Sequence, residues 1–242
     1  MKRRTLGLIA LLAVGLLALA CTETTILPSD RESNPGISVS GSGSVFGEPD
    51  VAILTLGVEA QADSVGEARA MAAEAMDAMV TVLKDSGVED SDIQTSRFSV
   101  EPRYNFRDGE QELIGFFVNN LVTVKIRDID ETGTLIDDVV EAGGDLTRVQ
   151  NLRFTIDDPE ELQQEARRLA MENAKSKAQT LADSAGVELG KPRSISESGG
   201  AFPIAFRAAG GLAFDEVSDV GTSIEVGELE VQIQVQVVYG LD

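Results

Sequence analysis

The sequence predicts an α+β protein in which long amphipathic helices pack on antiparallel or mixed β-sheet. Near the end of the chain, apolar residues alternate strictly with Glu and Gln, at Leu229, Val231, Ile233, Val235 and Val237. This period of two is that of a half-buried strand. Two other segments repeat apolar residues every three or four positions, which is the period of a helix with one buried stripe. A chain of 242 residues is long enough to bury a core beneath such helices.

The first half is predicted to form a βαββ unit. The segment Val51–Ala60 alternates like a strand, and Ser64 followed by Glu67 forms a capping box for a helix that ends near Asp85. Two more strands are predicted at 93–104 and 116–127, joined by a turn at Asp108-Gly109.

The second half repeats this order. A strand is predicted at 149–156, and Asp158 then caps a helix that has Pro159 at its first position and stops at Gly186. The predicted buried stripe of this helix consists of Leu162, Ala166, Leu169, Ala174, Ala178, Leu181 and Ala185. Strands at 193–198 and 229–237 complete the unit, and a short helix at 132–142 joins the halves. We hypothesise an internal duplication of about 50–127 and 148–239; the alternative is chance recurrence of common α+β signals.

A glycine-rich segment precedes these units. Gly41-Ser-Gly43-Ser-Val-Phe-Gly47 is similar to a dinucleotide-binding loop, but its last glycine comes one residue late. A second strand follows it, whereas a dinucleotide loop leads into a helix. We therefore predict an N-terminal strand pair, with glycines that permit bending or close approach of another backbone.

Composition excludes several classes of site. The chain has no His and one Cys, which excludes His-based triads, His-liganded zinc, Cys-cluster metal sites and an intramolecular disulfide. Its 41 acidic and 20 basic residues give a formal charge of −21, which disfavours nucleic-acid binding. We expect no metal, no cofactor and no catalytic residues, because no motif or pair of carboxylates stands out.

The N-terminus has the pattern of a secretory signal. Lys2, Arg3 and Arg4 precede an apolar run, and small residues lead to Cys21, the single cysteine. This junction resembles the lipobox of bacterial lipoproteins, in which the cysteine is lipidated. We predict a lipoprotein signal peptide at 1–20, a flexible tether at 21–36 and one folded domain at 37–242. Thr22 after the cysteine favours, by resemblance, the outer membrane.

Several short pieces occur in a characteristic order along the domain. They are Ile37-Ser-Val-Ser-Gly-Ser-Gly43, Pro49-Asp50, Gly57-Val58, Thr95-x-x-Phe98-x-Val100-x-Pro102-x-Tyr104, Gly115 with Asn119, and the Ala/Lys-rich helix 166–186. Together they resemble the SIMPL-domain family of bacterial envelope proteins, over about Ile37 to Tyr239. The resemblance implies a periplasmic or surface protein without established catalytic residues. It also implies a link to oxidative stress defence and, as for one periplasmic immunogen, assembly into a large homo-oligomer.

The connection 198–223 is the most distinctive part of the sequence. It is longer than a usual structureless loop and combines glycine pairs with large apolar residues, namely Phe202, Ile204, Phe206, Leu212 and Phe214. We predict that these side chains form an interface with a neighbouring subunit or the membrane. Packing into their own domain is the alternative.

These observations predict a non-catalytic, lipid-anchored, acidic envelope protein on the periplasmic face of the outer membrane. It would act through homo-oligomerisation or binding of an envelope protein, in envelope or oxidative stress defence. Two alternatives remain open: a carboxylate-dependent envelope hydrolase and a monomeric partner-binding module.

Overall fold

The computed structural model describes residues 36–107, 109–198, 204–205 and 222–242, and it confirms the α+β class. The predicted strands and helices are present, with ends shifted by a few residues. In chain order they are β1 Ile37–Gly47, β2 Val51–Ala62, α1 Val65–Asp85, β3 Ile93–Arg107, β4 Glu110–Ile126, α2 Thr132–Gly143, β5 Thr147–Thr155, α3 Glu160–Ala185, β6 Leu189–Ser198, β7 Ile204–Ala205 and β8 Leu229–Leu241. Within the described part, no helix is long and apolar enough to cross a membrane.

The first sheet has the strand order β3-β4-β2-β5, and all its pairs are antiparallel. Helices α1 and α2 supply the apolar side chains that cover one face, including Met79, Leu83 and Val139, which are fully buried. Ser64 caps α1 as predicted, but Glu67 binds the Ser64 hydroxyl where a capping box has it bind the Ser64 amide. The Glu67 amide donates to Ser64 Oγ over 3.3 Å, and the Ser64 hydroxyl donates to the Glu67 carboxylate over 3.0 Å.

The second sheet has the order β1-β8-β6, with β7 also paired to β8. Helix α3 covers one face and packs mainly on β1 and β8. The Glu160 amide donates to Asp158 Oδ1 over 3.1 Å at the start of α3. Gly186 ends the helix with a left-handed φ of 69°.

The two N-terminal strands lie in different sheets. β1 pairs with β8, whereas β2 lies between β4 and β5, so these neighbours in sequence do not pair with each other. β5 directly precedes α3, yet its side chains Leu152 and Phe154 pack on the first core. The first strand beneath α3 is therefore β1, which comes from the N-terminal end of the domain.

Glycines in β1 allow α3 to approach very closely. A Cβ atom on Gly41 would overlap the carbonyl oxygen of Ala170, and one on Gly43 would overlap that of Ala166. This confirms the predicted close backbone approach. The facing stripe of α3 consists of fully buried alanines at 166, 170, 174, 178 and 182. The predicted stripe is wrong at Leu181, which is 50% exposed, and at Ala185, which is also exposed, because the buried stripe continues in steps of four from Ala178 to Ala182.

This contact predicts a large stability effect of a single methyl group. Gly41→Ala should lower the free energy of unfolding by about 1–3 kcal/mol, because the added Cβ cannot fit without moving α3. Gly66→Ala is the matched control, since its Cβ would meet only Ser64 Oγ at 4.0 Å on α1. We expect that control to be neutral or stabilising by up to about 1 kcal/mol. Urea unfolding of both variants measures the difference, and equal effects would contradict the account.

Candidate functional site

The edge strand β3 exposes an apolar strip. Its alternate residues Phe98, Val100, Tyr104 and Phe106 share one face, and they are 58%, 38%, 44% and 73% exposed. Leu113, which pairs with Tyr104 from β4, is 49% exposed. We call these five residues the hairpin strip. Exposed apolar residues in one contiguous line are typical of an interaction surface.

The hairpin strip lies on the same side of the sheet as the first core. Val100 pairs with Val118, whose side chain is fully buried on the face that α1 covers. The main sheet contacts of α1 are with β2 and β4, so the helix covers the centre of the sheet and β3 extends beyond it. The apolar face of the first sheet is therefore wider than the helix layer on it.

The outer edges of β1 and β3 differ. On β1, the Ser42 amide donates to Asn173 Oδ1 over 3.2 Å, and Lys177 Nζ donates to the Ser40 carbonyl over 2.9 Å. Side chains of α3 thus occupy backbone groups that an added strand would need. β3 is 15 residues long and also lies at the end of its sheet's strand order. Its backbone has no N–H at Pro102, but the other outward groups and the hairpin strip together suit the addition of another chain.

The opposite face of β3 is cationic. Arg97, Arg103 and Arg107 alternate with the hairpin strip, and Glu101 is the one acidic residue within β3. The Arg103 guanidinium lies 4.5 Å from the centre of the Phe117 ring on β4, which holds it against the sheet. In a chain of charge −21, β3 is thus a basic segment on an acidic protein.

A polar relay crosses the same face of the first sheet. Asn119 is 8% exposed and donates from Nδ2 to Glu59 Oε1 over 3.0 Å, while Arg148 Nε donates to Glu59 Oε2 over 2.9 Å. Arg148 also donates to the carbonyls of Asp145 and Thr147. Since both oxygens of Glu59 accept hydrogen bonds, the relay joins β4, β2 and the start of β5.

The carboxyl groups whose pKa values are shifted do not resemble general acids. Hydrogen bonds from Lys125 and Arg127 lower the pKa of Asp157, and one from Arg168 lowers that of Glu165. A general acid needs a raised pKa, so these groups act as structural partners of the cations. Within the described ranges, no three acidic or thiol side chains converge as they would around a metal ion.

The residues predicted as sites from sequence are mostly outside the described ranges. Cys21, Phe202, Phe206, Leu212 and Phe214 all lie outside them, so their predicted roles stay predictions. Ile204 is described: it belongs to β7, pairs with Glu230 of β8 and is 54% exposed. Of the five apolar residues predicted for the interface, Ile204 is therefore the one whose position the structure describes.

The segment that leads into β8 is fixed to the first half of the domain. The Thr222 amide and hydroxyl donate to the two oxygens of Asp137 on α2, over 3.1 and 2.6 Å. These hydrogen bonds lower the pKa of Asp137, the hydroxyl bond contributing most. Ile224 then packs on the first core. The contact links the segment before β8, in the second sheet, to the helix layer of the first.

Comparison with known proteins shows the family to which the chain belongs. The SIMPL family model, described as a protein of unknown function (DUF541), matches residues 37–239. The chain belongs to the SIMPL family. It is 37% identical over 166 residues to the 26 kDa periplasmic immunogenic protein of Brucella melitensis, a match that spans 66% of each chain. It is 28% identical over 195 residues to the uncharacterized protein YggE of Escherichia coli, covering 81% of this chain and 76% of that one.

Several of the short sequence segments that resemble the SIMPL family lie in the strands of the first sheet. Gly115 has a φ of 137°, and a Cβ there would lie 2.6 Å from the Ala62 carbonyl oxygen. A Cβ on Gly57 would overlap the Asn120 carbonyl oxygen. These glycines and the buried Asn119 therefore have structural roles. The hairpin strip was missed as a surface, although its alternation from Phe98 to Phe106 was visible, because sequence does not tell which strand lies at an edge.

The Asp137 contact predicts acid sensitivity. Because its pKa is lowered, the Asp137 carboxylate stabilises the fold fully at pH values above its ordinary pKa of 3.8. This contribution is lost as the pH falls through the pKa of the folded state. Asp137→Ala should therefore lower the urea midpoint at pH 7, with the difference from wild type shrinking at low pH. Asp138→Ala, at the exposed neighbouring position, is the control and should change little. Equal effects of the two variants at pH 7 would contradict this role.

Proposed function

We propose that this SIMPL protein is a non-catalytic component of the bacterial envelope that acts by self-association through β3. The observation that carries the proposal is the hairpin strip on a long edge strand. Burying such apolar surface is favourable by about 25 cal/mol per Å². The strip and the outward backbone of β3 provide both an apolar and a hydrogen-bonding contact.

Charge favours a second copy as the occupant. The chain carries −21 overall, so two copies repel each other unless they meet at a face that offsets this charge. β3 supplies three arginines against one glutamate, which complements the acidic surface of another copy. An interface that joins unlike surfaces can close into a ring of several subunits.

The envelope location rests on other support. The Brucella relative is named as periplasmic, and the N-terminus of this chain has the signal and lipobox pattern. We propose lipidation at Cys21 and a position on the periplasmic face of the outer membrane. A role in envelope or oxidative stress defence is proposed from the family resemblance.

Removing the hairpin strip should dissociate the assembly. We expect the Thr22–Asp242 chain, which contains the compact unit Gly36–Asp242, to form a discrete oligomer in light scattering across a concentration series. Phe98→Ser with Phe106→Ser should weaken association by about a hundredfold or more, because each buried Phe contributes about 1.5–3 kcal/mol.

Leu181→Ser is the matched control for these two substitutions. It removes a 50% exposed apolar side chain from α3, away from the hairpin, and should leave the mass unchanged. A wild-type monomer at every concentration would overturn self-association and favour a monomeric partner-binding module. Full assembly of the double Phe variant would overturn the role of the hairpin strip.

The connection between β6 and β8 is proposed as a second contact. Ile204 is exposed at its described part, and the remaining predicted residues share its apolar character. Replacing Phe202, Phe206 and Phe214 by serine should reduce the assembly mass in the same light-scattering experiment. If both mass and lipid association stay unchanged, this contact is not an interface.

A further inference from the structure

A groove between α3 and the start of β6 lies apart from the surfaces described above. Its volume is about 520 Å³, within the range of small-molecule sites. Its apolar floor consists of Met171, Leu189, Pro192 and Tyr239. Tyr239 is 4% exposed and belongs to the second core, on which Met171 and Leu189 also pack. The groove is thus an opening onto the second core.

Two lysines line the groove beside this floor. Neither Lys175 nor Lys191 forms an ion pair with a carboxylate in the described part of the chain. Other cations on the same lobe do have acidic partners: Arg167 pairs with Glu197 over 2.9 Å. Within the described ranges, both ammonium groups at this groove are therefore available to an anionic ligand.

The other charged groups of the lining are an arginine with two carboxylate partners and one aspartate. Arg168 pairs with Glu165 and Glu172, so the carboxylate of Glu172 is already engaged. Asp242 is the other acidic side chain in the lining. Glu165 and Glu172 together offset the charge of Arg168, so Lys175 and Lys191 are the lining cations that remain for an anionic ligand, with Asp242 as the remaining carboxylate.

We propose that this groove binds a single-chain fatty carboxylate, its head group at Lys175 and Lys191 and its chain along the apolar floor. The two lysines select an anion through charge-assisted hydrogen bonds. The floor selects an apolar chain by removing it from water. An amphipathic cation would meet the lysines with like charge, and a short polar anion would leave the floor unused.

Tyr239 provides a direct readout of occupancy. Burial raises the pKa of its phenol, so the ring stays neutral at pH 7.5. The chain has no Trp and two Tyr, the other being Tyr104 on the hairpin strip. In a Tyr104→Phe background, tyrosine fluorescence therefore comes from the floor of the groove alone.

The experiment titrates dodecanoate, below its micelle concentration, into the Tyr104→Phe form of the Thr22–Asp242 chain. We expect a saturable change in Tyr239 fluorescence and a matching heat of binding. Dodecyltrimethylammonium and acetate should give no saturable signal at the same concentrations. No saturation with dodecanoate, or equal binding of the cationic amphiphile, would overturn the proposal.

Substitutions test the two parts of the groove separately. Lys175→Gln with Lys191→Gln should weaken dodecanoate binding by about tenfold or more, and Lys→Arg at both positions should largely restore it. Lys177→Gln removes the same charge from the same helix outside this groove and should change the affinity less than twofold, as an order-of-magnitude expectation. Met171→Glu should abolish binding. Unchanged thermal melts confirm folding, and equal affinity of the double Gln variant and wild type would overturn the site.

Discussion

The fold depends on one close contact, the seating of α3 against β1. Gly41 and Gly43 leave room for the backbone of α3, and the alanine stripe fills the space with methyl groups. A side chain as large as Phe154 of β5 could not take the place of either glycine. Because β1 is committed to the second sheet, β5 becomes the strand beside β2 in the first, and β3 remains at its outer edge. The hairpin strip lies at the opposite end of this sheet from β5, on the edge strand β3.

The edge strands β1 and β3 differ in how much of their outer edge is covered. On β1, Asn173 and Lys177 from α3 bind backbone groups at the edge. On β3, the helix layer ends before the strand does, and the apolar residues stay accessible. A long apolar edge strand invites association, and its arginines direct that association toward an acidic surface. Self-association is the proposal that uses all three properties of β3 together.

Local structure was predictable from sequence because it depends on local chemistry. The N-cap at Ser64, the stop at Gly186 and the alternation of β8 each follow from the residues at those positions. The exchange of β1 and β5 between sheets was not predictable, because pairing depends on which distant strand fits beneath α3. The hairpin strip was not predictable for the same reason. Phe98 alternates like a buried strand residue, and only the strand order of the sheet shows that it is exposed. The prediction for Leu181 is wrong because a step of three from Ala178 fits helical spacing as well as the step of four that the buried alanines follow.

The most direct test of the central claim is hydrogen exchange of the β3 amides, measured while the Thr22–Asp242 chain is associated and again after dilution to monomer. The account predicts that outward-facing amides within 97–107 exchange more slowly in the associated state, because another copy covers that edge. The Ser42 amide, which Asn173 already binds, should exchange equally in both states. Association without any change in the exchange of β3 would contradict the account.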